Sequence, residues 1–261
     1  MLKRFYRDLK RYWPYALRSA KATLQAEVNG SYLNWLWWIL NPLSFMLIYT
    51  FIYGVVFNAS EPYFPLFIFI GITLWDFFNR TISNCVLIVK SNKQIVTRAY
   101  LPKCMLVISN MLVNGFKMLI SMGICAVMLL FYRVPPQWTM PLAVLPFAGA
   151  ILFTFGAALI VMHLGVYIQD MANIVQIVLR LMMYLTGIFY DVGKRVPAPY
   201  NTLILWVNPM SAYVSQVRNA LLYGNISNTR IIFVWFALSA VVAYLGLKVV
   251  YKNENNYIKV I

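Results

Sequence analysis

Two residues of opposite charge stand four positions apart inside a long apolar stretch of this chain. They are Asp76 and Arg80, and this spacing lets opposite charges pair along one face of a helix. The pair either neutralises itself as a structural contact or, together with Arg180 in another apolar stretch, lines a polar path through apolar surroundings. The neutralised pair is the simpler interpretation, and the polar path is the functional alternative.

Four aromatic residues recur every four positions in another apolar stretch. They are Phe45, Tyr49, Tyr53 and Phe57, and this spacing places them on one slowly turning face of a helix. Such rings pack against lipid or other helices, and they also stack on the C–H faces of sugar rings while tyrosine hydroxyls bond sugar hydroxyls. The stripe therefore predicts either helix packing or a channel surface for a sugar substrate.

The segment 90–103 mixes cations with apolar side chains. Its candidate functional residues are Lys93, Ile95, Val96, Arg98 and Tyr100. Anionic lipid headgroups would account for the cations alone. Exposed apolar side chains between the cations predict instead a docking surface for a protein partner.

The whole composition indicates a membrane protein. Of 261 residues, 62% are hydrophobic and 11% are charged, against roughly 25% charged in an ordinary soluble domain. The mean hydropathy of +0.69 excludes a soluble globule. The net charge of +15 is explained by basic loops on one side of a bilayer, without any nucleic-acid partner. The three cysteines are too widely spaced for a metal cluster and are expected to be free thiols.

Apolar stretches predict six transmembrane helices in one all-α membrane domain covering 1–261. These predicted spans are 35–57, 64–89, 104–132, 140–168, 173–190 and 231–251. Cations concentrate in the N-terminal segment, in 90–103 and in the C-terminal tail. The positive-inside rule therefore places both termini in the cytosol.

Two further segments are not expected to cross the membrane. Residues 1–30 form a cytosolic or interfacial segment, in which 15–30 has the spacing of an amphipathic helix lying at the membrane surface. Prolines and polar residues interrupt the apolar stretch 199–223. That pattern predicts one or two short re-entrant helices on the outer side, between spans five and six.

No catalytic motif accompanies these elements. The sequence has no GxxxxGK[ST] phosphate loop, no GxSxG and no HExxH, and its only histidine, His163, has no second metal ligand nearby. The chain is therefore expected to hold no metal or cofactor, and its source of energy is expected in another protein.

The stretch Gly30–Pro42 resembles the start of ABC-2 type exporter permeases, in particular those for polysaccharide, O-antigen and teichoic acid export. The matching positions are Ser31, Leu33, Trp37 and Pro42, whereas Asn34 stands where the family usually has glycine and Glu27 lies in a stretch that is usually basic. Further matches are Leu101–Lys103, Tyr184–Val192, Asn208–Pro209 and Arg218, and Gln169–Asp170 stands where the family often has Arg-Asp, so that the family's arginine is a glutamine here. Together these features cover nearly the whole chain.

The resemblance implies a transport subunit rather than an enzyme. It implies that the chain pairs with a second copy of itself and with two copies of a cytosolic ABC ATPase, which holds the ATP and magnesium. The 15–30 helix would be an interfacial gate, 90–103 the coupling segment, and 199–223 the outer exit. The stripe from Phe45 to Phe57 would then line a channel for a lipid-linked glycan crossing the bacterial inner membrane.

Two alternative functions are compatible with the sequence. One is an ABC-2 exporter of a drug or a lipid. The other is a membrane enzyme acting on polyprenyl-phosphate lipids, for which the chain offers only the isolated carboxylates Asp76, Asp170 and Asp191.

Overall fold

A computed structural model describes residues 1–29, 32–57, 61–98, 100–225 and 229–260, with the side chain of Asn34 left out. Gly30 and Ser31 of the family-like motif therefore lie outside the described residues. The described part of the chain is helical and contains no strand. The predicted all-α class is confirmed.

Twelve α-helices make up this described structure. In chain order they are α1 Leu2–Val28, α2 Trp37–Tyr49, α3 Phe64–Val86, α4 Ile88–Ser91, α5 Lys93–Arg98, α6 Lys103–Phe131, α7 Val144–Tyr167, α8 Met171–Leu185, α9 Val192–Arg195, α10 Tyr200–Val207, α11 Pro209–Arg218 and α12 Thr229–Val260. π-Helical turns follow α2 at Thr50–Val56 and α11 at Asn219–Tyr223, and 3₁₀ turns precede α2 at Asn34–Leu36 and α7 at Met140–Ala143.

Five of the described helices are long and apolar enough to cross a membrane. They are Trp37–Val56, Phe64–Val86, Cys104–Phe131, Met140–Tyr167 and Thr229–Val260, and they define a multi-pass membrane protein. The counterpart of the predicted span 173–190 is α8, which has 15 residues. A crossing needs about 20, so the sixth span is not confirmed.

Helix α3 forms the centre of the bundle. Its spanning window is 78% buried inside the chain, whereas that of Trp37–Val56 is only 11% buried. Helices α2, α6, α7, α8 and α11 all pack around α3. The aromatic stripe therefore belongs to a peripheral helix, and the Asp76–Arg80 pair belongs to the central one.

Helices α7 and α12 form the most extensive helix pair and run in the same direction. A Cβ atom on Gly156 would lie 2.5 Å from the backbone nitrogen of Ala243. Further along both helices, His163 Nδ1 lies 2.7 Å from the Tyr257 hydroxyl. A glycine at this crossing lets the two backbones touch, as small residues do between membrane helices.

The N-terminal helix differs from the predicted 15–30 segment because α1 starts at Leu2. The residues before position 15 also pack against the bundle, since the rings of Phe5 and Phe155 lie 6.0 Å apart. Within the predicted segment, Ala16 is fully buried. Helix α1 continues through Pro14, so the predicted boundary at residue 15 is wrong. The proline removes one backbone donor, and tertiary packing maintains the helix around it.

The bundle has two distinct ends. The terminal end carries the start of α1, the end of α12, and α4 and α5, and the distal end carries Glu61, Lys194 and Tyr223. The last helix is longer than the predicted span 231–251, because α12 continues past residue 251 to Val260 at the terminal end. Glu254 and Tyr257 are buried in this extension, so packing rather than lipid holds it helical.

Candidate functional site

The predicted coupling segment forms the short helices α4 and α5 between α3 and α6. Its apolar residues do not share one environment: Ile95 is 43% exposed and Tyr100 is 56% exposed, but Val96 is 1% exposed and Leu101 is 4% exposed. Lys93 and Arg98 lie exposed on the same segment. Val96 was predicted to contact a partner, but its side chain is directed into the core and anchors the segment.

Tyr100 joins this segment to both ends of the chain. Its hydroxyl accepts a 2.8 Å hydrogen bond from the Arg4 guanidinium and donates a 3.1 Å bond to the Glu254 carboxylate. Arg4 also forms an ion pair with Glu254. The bonds connect the coupling segment to α1 and to α12, which are the two helices that carry the termini.

Burial shifts the pKa values of Tyr100 and of the neighbouring Lys103. Burial raises the pKa of the Tyr100 hydroxyl, while its hydrogen bond from Arg4 opposes that rise, so the tyrosine stays a neutral donor. Burial lowers the pKa of the Lys103 ammonium, and the nearby Glu254 carboxylate counteracts this effect. Lys103 donates to the Leu101 carbonyl at 3.0 Å. These groups fix the turn that enters α6.

Glu254 is a residue that the sequence argument missed. It is 4% exposed and its Oε2 atom has no hydrogen-bond partner among the described residues. The sequence could have indicated Glu254 because acidic residues are rare in this chain. There are only 7 of them, and all except Asp170 lie in ion pairs. An isolated acid in a basic segment therefore marks an intramolecular contact.

The aromatic stripe forms a continuous ladder of rings. Successive ring centroids of Phe45, Tyr49, Tyr53 and Phe57 lie 6.3, 6.4 and 5.6 Å apart. Phe189 packs on the middle of this ladder, 4.3 Å from Tyr49 and stacked on Tyr53 at 4.9 Å. The two outer rings, Phe45 and Phe57, are 48% and 68% exposed. The same stripe thus provides a packing contact in its centre and an open aromatic surface at each end.

The three predicted intramembrane charges are not brought together. Arg80 donates to Asp76 at 3.3 Å along α3, as their spacing predicts. Arg180 lies exposed on α8 and is not among the residues that line the polar cleft around that pair. A different cation lines this cleft instead: Lys117 of α6, whose ammonium lies 2.6 Å from the Glu27 carboxylate of α1.

A buried arginine organises the distal end. The guanidinium of Arg218 donates to the carbonyls of Phe67, Gly187 and Ile188 at 2.9, 2.6 and 2.7 Å. It also lies 3.5 Å from the centroid of the Phe67 ring. These contacts join the end of α11 to α3 and to the turn after α8.

The helices of 199–223 are held by their own cap. Asn208 accepts from the backbone nitrogens of Met210 and Ser211 at 3.0 and 3.3 Å and donates to Thr186 at 3.0 Å. An asparagine cap satisfies the orphan donors of a helix that starts with proline. The segment therefore contains two short helices, α10 and α11, packed into the bundle.

Loops of the distal end meet at a second ion pair. Lys194 lies 2.6 Å from Glu61, and the Tyr223 hydroxyl donates to the same carboxylate at 3.1 Å. The loop before α3, the helix α9 and the end of the 199–223 segment are thereby joined. Within the described ranges, no group of three or more His, Cys, Asp or Glu side chains is arranged to hold a metal.

Comparison with known proteins identifies relatives along most of the chain. The O-antigen export system permease protein of Klebsiella pneumoniae is 25% identical over 242 residues, which is 91% of each chain. The protein of the same name from Myxococcus xanthus is 25% identical over 213 residues, 82% of each chain. The polysialic acid transport protein of Escherichia coli is 23% identical over 201 residues, covering 75% of this chain and 76% of its own. No protein-family model matches the chain.

These relatives are transport permeases and not enzymes. The resemblance to ABC-2 polysaccharide-export permeases, inferred from scattered short motifs, is confirmed by similarity that runs along nearly the whole chain.

Proposed function

We propose that this chain is the membrane permease subunit of an ATP-driven ABC exporter that moves a lipid-linked polysaccharide outward across the bacterial cytoplasmic membrane. The observation that carries the proposal is the similarity to O-antigen export permeases over 91% of both chains. The five long apolar helices and the absence of a nucleotide-binding motif in the sequence support it. The cargo would be of the O-antigen, capsule or teichoic acid type.

The proposed topology has six crossings with both termini in the cytosol. Helix α8 would be the fifth crossing. Because it is short, the membrane around it would have to be locally thin, or the turn that follows it would have to complete the crossing. The basic α1, α4 and α5 meet at the terminal end, where the positive-inside rule expects the cytosol. The distal end, with α10 and α11 as re-entrant helices, would then face outward.

The proposed assembly has two permease copies and two ATPase subunits, and the ATPase subunits hold ATP and magnesium. A second copy would cover the outer face of α2, because Trp37–Val56 is only 11% buried in the single chain. The ATPase would dock on α5, where Ile95 offers an exposed apolar side chain between Lys93 and Arg98. Membrane lipids would cover the remaining apolar surface.

The bonds of Tyr100 suggest how ATPase motion reaches the membrane helices. A displacement of the 90–103 segment would pull on Arg4 and Glu254 through the Tyr100 hydrogen bonds of 2.8 and 3.1 Å. Helices α1 and α12 would move with it, since each holds one of these partners. The two permease copies would then repack and open a path between them, bordered by the exposed rings of Phe45 and Phe57.

Co-expression with a candidate ABC ATPase subunit from the same genome tests the proposal. The expected result is a stable complex of two permeases and two ATPases whose ATP turnover rises with lipid-linked glycan, and cells that lose surface glycan when the permease is deleted. Turnover that responds to drugs or simple lipids but not to the glycan would point to the other class of exporter. A permease that binds no ATPase and chemically alters a polyprenyl-phosphate lipid would contradict the proposal.

A further inference from the structure

A polar cleft lies between α2, α3 and α6, halfway along two of the spanning helices. Trp37 and Trp38 from the start of α2 form one wall, Asp76 and Arg80 of α3 another, and Lys117 of α6 the third. Charged side chains at this depth of a membrane protein are costly and are retained where they line a path or contact a ligand. The export function proposed above does not assign a role to this cleft.

The charges around the cleft cancel. Asp76 pairs with Arg80 at 3.3 Å, and Lys117 pairs with Glu27 at 2.6 Å. An anionic ligand would have to compete with a carboxylate for each cation. A neutral ligand that forms hydrogen bonds avoids this competition.

Both members of the α3 pair have unused hydrogen-bonding capacity. Within the described structure, the Asp76 carboxylate accepts from Arg80 alone, and Arg80 donates to Asp76 alone. A carboxylate accepts about four bonds and a guanidinium donates about five. Hydroxyl groups both donate and accept, so they match a wall that presents acceptors beside donors.

The tryptophans supply the other half of a sugar-binding surface. Trp37 is 45% exposed while lining the cleft. Trp38 is held edge-on to Phe116 with centroids 5.8 Å apart, and the Lys117 ammonium lies 6.0 Å from its ring. Large, rigid aromatic surfaces beside polar groups are the combination that packs on the apolar face of a sugar ring.

The size of the cleft limits how a sugar would sit. Its enclosed room is about 40 Å³, which holds a water molecule or a hydroxyl group but no ring. A ring would therefore lie across the mouth, against Trp37, with its hydroxyls directed towards Asp76 and Arg80.

We propose that this cleft is a contact site for neutral sugar rings of the transported glycan, with Trp37 as the stacking surface and Asp76 and Arg80 as the hydroxyl-binding pair. This inference rests on the proposed export function and assigns it a place inside the membrane domain, apart from the aromatic stripe formed by Phe45, Tyr49, Tyr53 and Phe57.

Photo-crosslinking in cells that make the glycan tests the contact directly. Benzoylphenylalanine replaces Trp37 in the complete exporter, and a matched variant carries it in place of Trp138, which is 98% exposed at the distal end. After irradiation the permease is purified and attached sugar is labelled through periodate oxidation. Labelling at position 37 should exceed that at position 138 by roughly tenfold, a preference of about 1.4 kcal/mol.

A double variant, Asp76→Asn with Arg80→Gln, measures the contribution of the pair without leaving an unpaired charge. Surface export of glycan should fall roughly tenfold, the equivalent of one or two charge-assisted hydrogen bonds, while ATPase association and melting temperature stay at the wild-type values. Arg180→Gln is the control and should export normally, since Arg180 does not line the cleft.

The outcomes separate this inference from the function beneath it. Wild-type export with no sugar attached at position 37, or with equal labelling at both positions, overturns the cleft and leaves the export function standing. Normal export by the double variant overturns the role of the pair. A wild-type complex that exports no glycan, together with no sugar attached in the variant that carries benzoylphenylalanine at position 37, overturns both proposals.

Discussion

The hydroxyl of Tyr100 donates a 3.1 Å hydrogen bond to Glu254, a residue 154 positions later in the chain. This bond joins the loop that precedes α6 to the last turns of α12, and Arg4 closes the group from α1. Three separate parts of the sequence thus meet at the Tyr100 hydroxyl, which lies in the segment proposed to contact the ATPase.

Tyr100→Phe should uncouple the exporter more than it destabilises the permease. The variant keeps the ring and removes one hydroxyl, which costs about 1 kcal/mol and about 2–4 °C in melting temperature. Glycan-stimulated ATP turnover and export should fall further than this small loss of stability explains, because the segment loses its bonds to Arg4 and Glu254. Thermal unfolding in detergent and export by the co-expressed complex measure the two effects.

Tyr6→Phe is the matched control, since Tyr6 is 70% exposed on α1. If the Tyr100→Phe variant exports glycan and shows glycan-stimulated ATP turnover at wild-type levels, the hydrogen bonds of Tyr100 stabilise the terminal end but do not couple it to the ATPase. Glu254→Gln should reproduce the uncoupling and unfold at a lower temperature, because it removes the charge that pairs with Arg4.

Arg218→Lys should destabilise the distal end by about 2–4 kcal/mol. An ammonium group cannot donate in three fixed directions from one plane, so at least one of the carbonyls of Phe67, Gly187 and Ile188 would lose its partner in a buried setting. Thermal unfolding in detergent should show the loss for this variant. Arg180→Lys makes the same chemical change at an exposed position and should leave the melting temperature unchanged. Equal melting temperatures for the two lysine variants would contradict the structural role of Arg218.

Gly156→Ala tests the close crossing of α7 and α12. Its new methyl group would lie 2.5 Å from the backbone nitrogen of Ala243, so the two helices must separate, at a cost of about 1–3 kcal/mol for overpacking. Gly123→Ala is the matched control on α6, where an added Cβ meets nothing within 4 Å. It should be neutral or stabilise the helix by up to about 1 kcal/mol. Should both alanine variants unfold at the same temperature, the helices do not cross at Gly156.

The sequence predicts the helical class and most spans because apolar length is a local property. Five of the six predicted spans have long helices as counterparts, and the Asp76–Arg80 pair forms as its spacing requires. The start of α1 could not be predicted, because contacts such as Phe5 with Phe155 keep it helical through Pro14. Helix periodicity cannot show which distant helix a residue will meet.

In the candidate site, too, the sequence predicts local properties but not contacts between distant helices. The sequence predicts the same exposed position for Ile95 and Val96, because both are apolar residues among the cations of 90–103. In the structure Ile95 is 43% exposed and Val96 is 1% exposed. Glu254 and Glu27 were not assigned partners, because ion pairs between distant helices leave no spacing pattern in the chain. The roles of these residues in transport remain predictions.

Ile95→Asp and Val96→Asp should fail for different reasons, and this difference tests the proposed docking surface. Ile95→Asp places a charge where an apolar contact with the ATPase is expected, and loss of that contact, about 1.5–3 kcal/mol, reduces complex formation by more than tenfold. The permease itself should keep its melting temperature. Val96→Asp instead buries a carboxylate without a partner, so the permease should unfold at a lower temperature even without the ATPase. Gln94→Asp, exposed on the same helix, controls for the added charge and should retain the ATPase. Pull-down of the ATPase and thermal unfolding of the isolated permease measure both properties, and undiminished capture by the Ile95 variant would mean that the ATPase docks elsewhere.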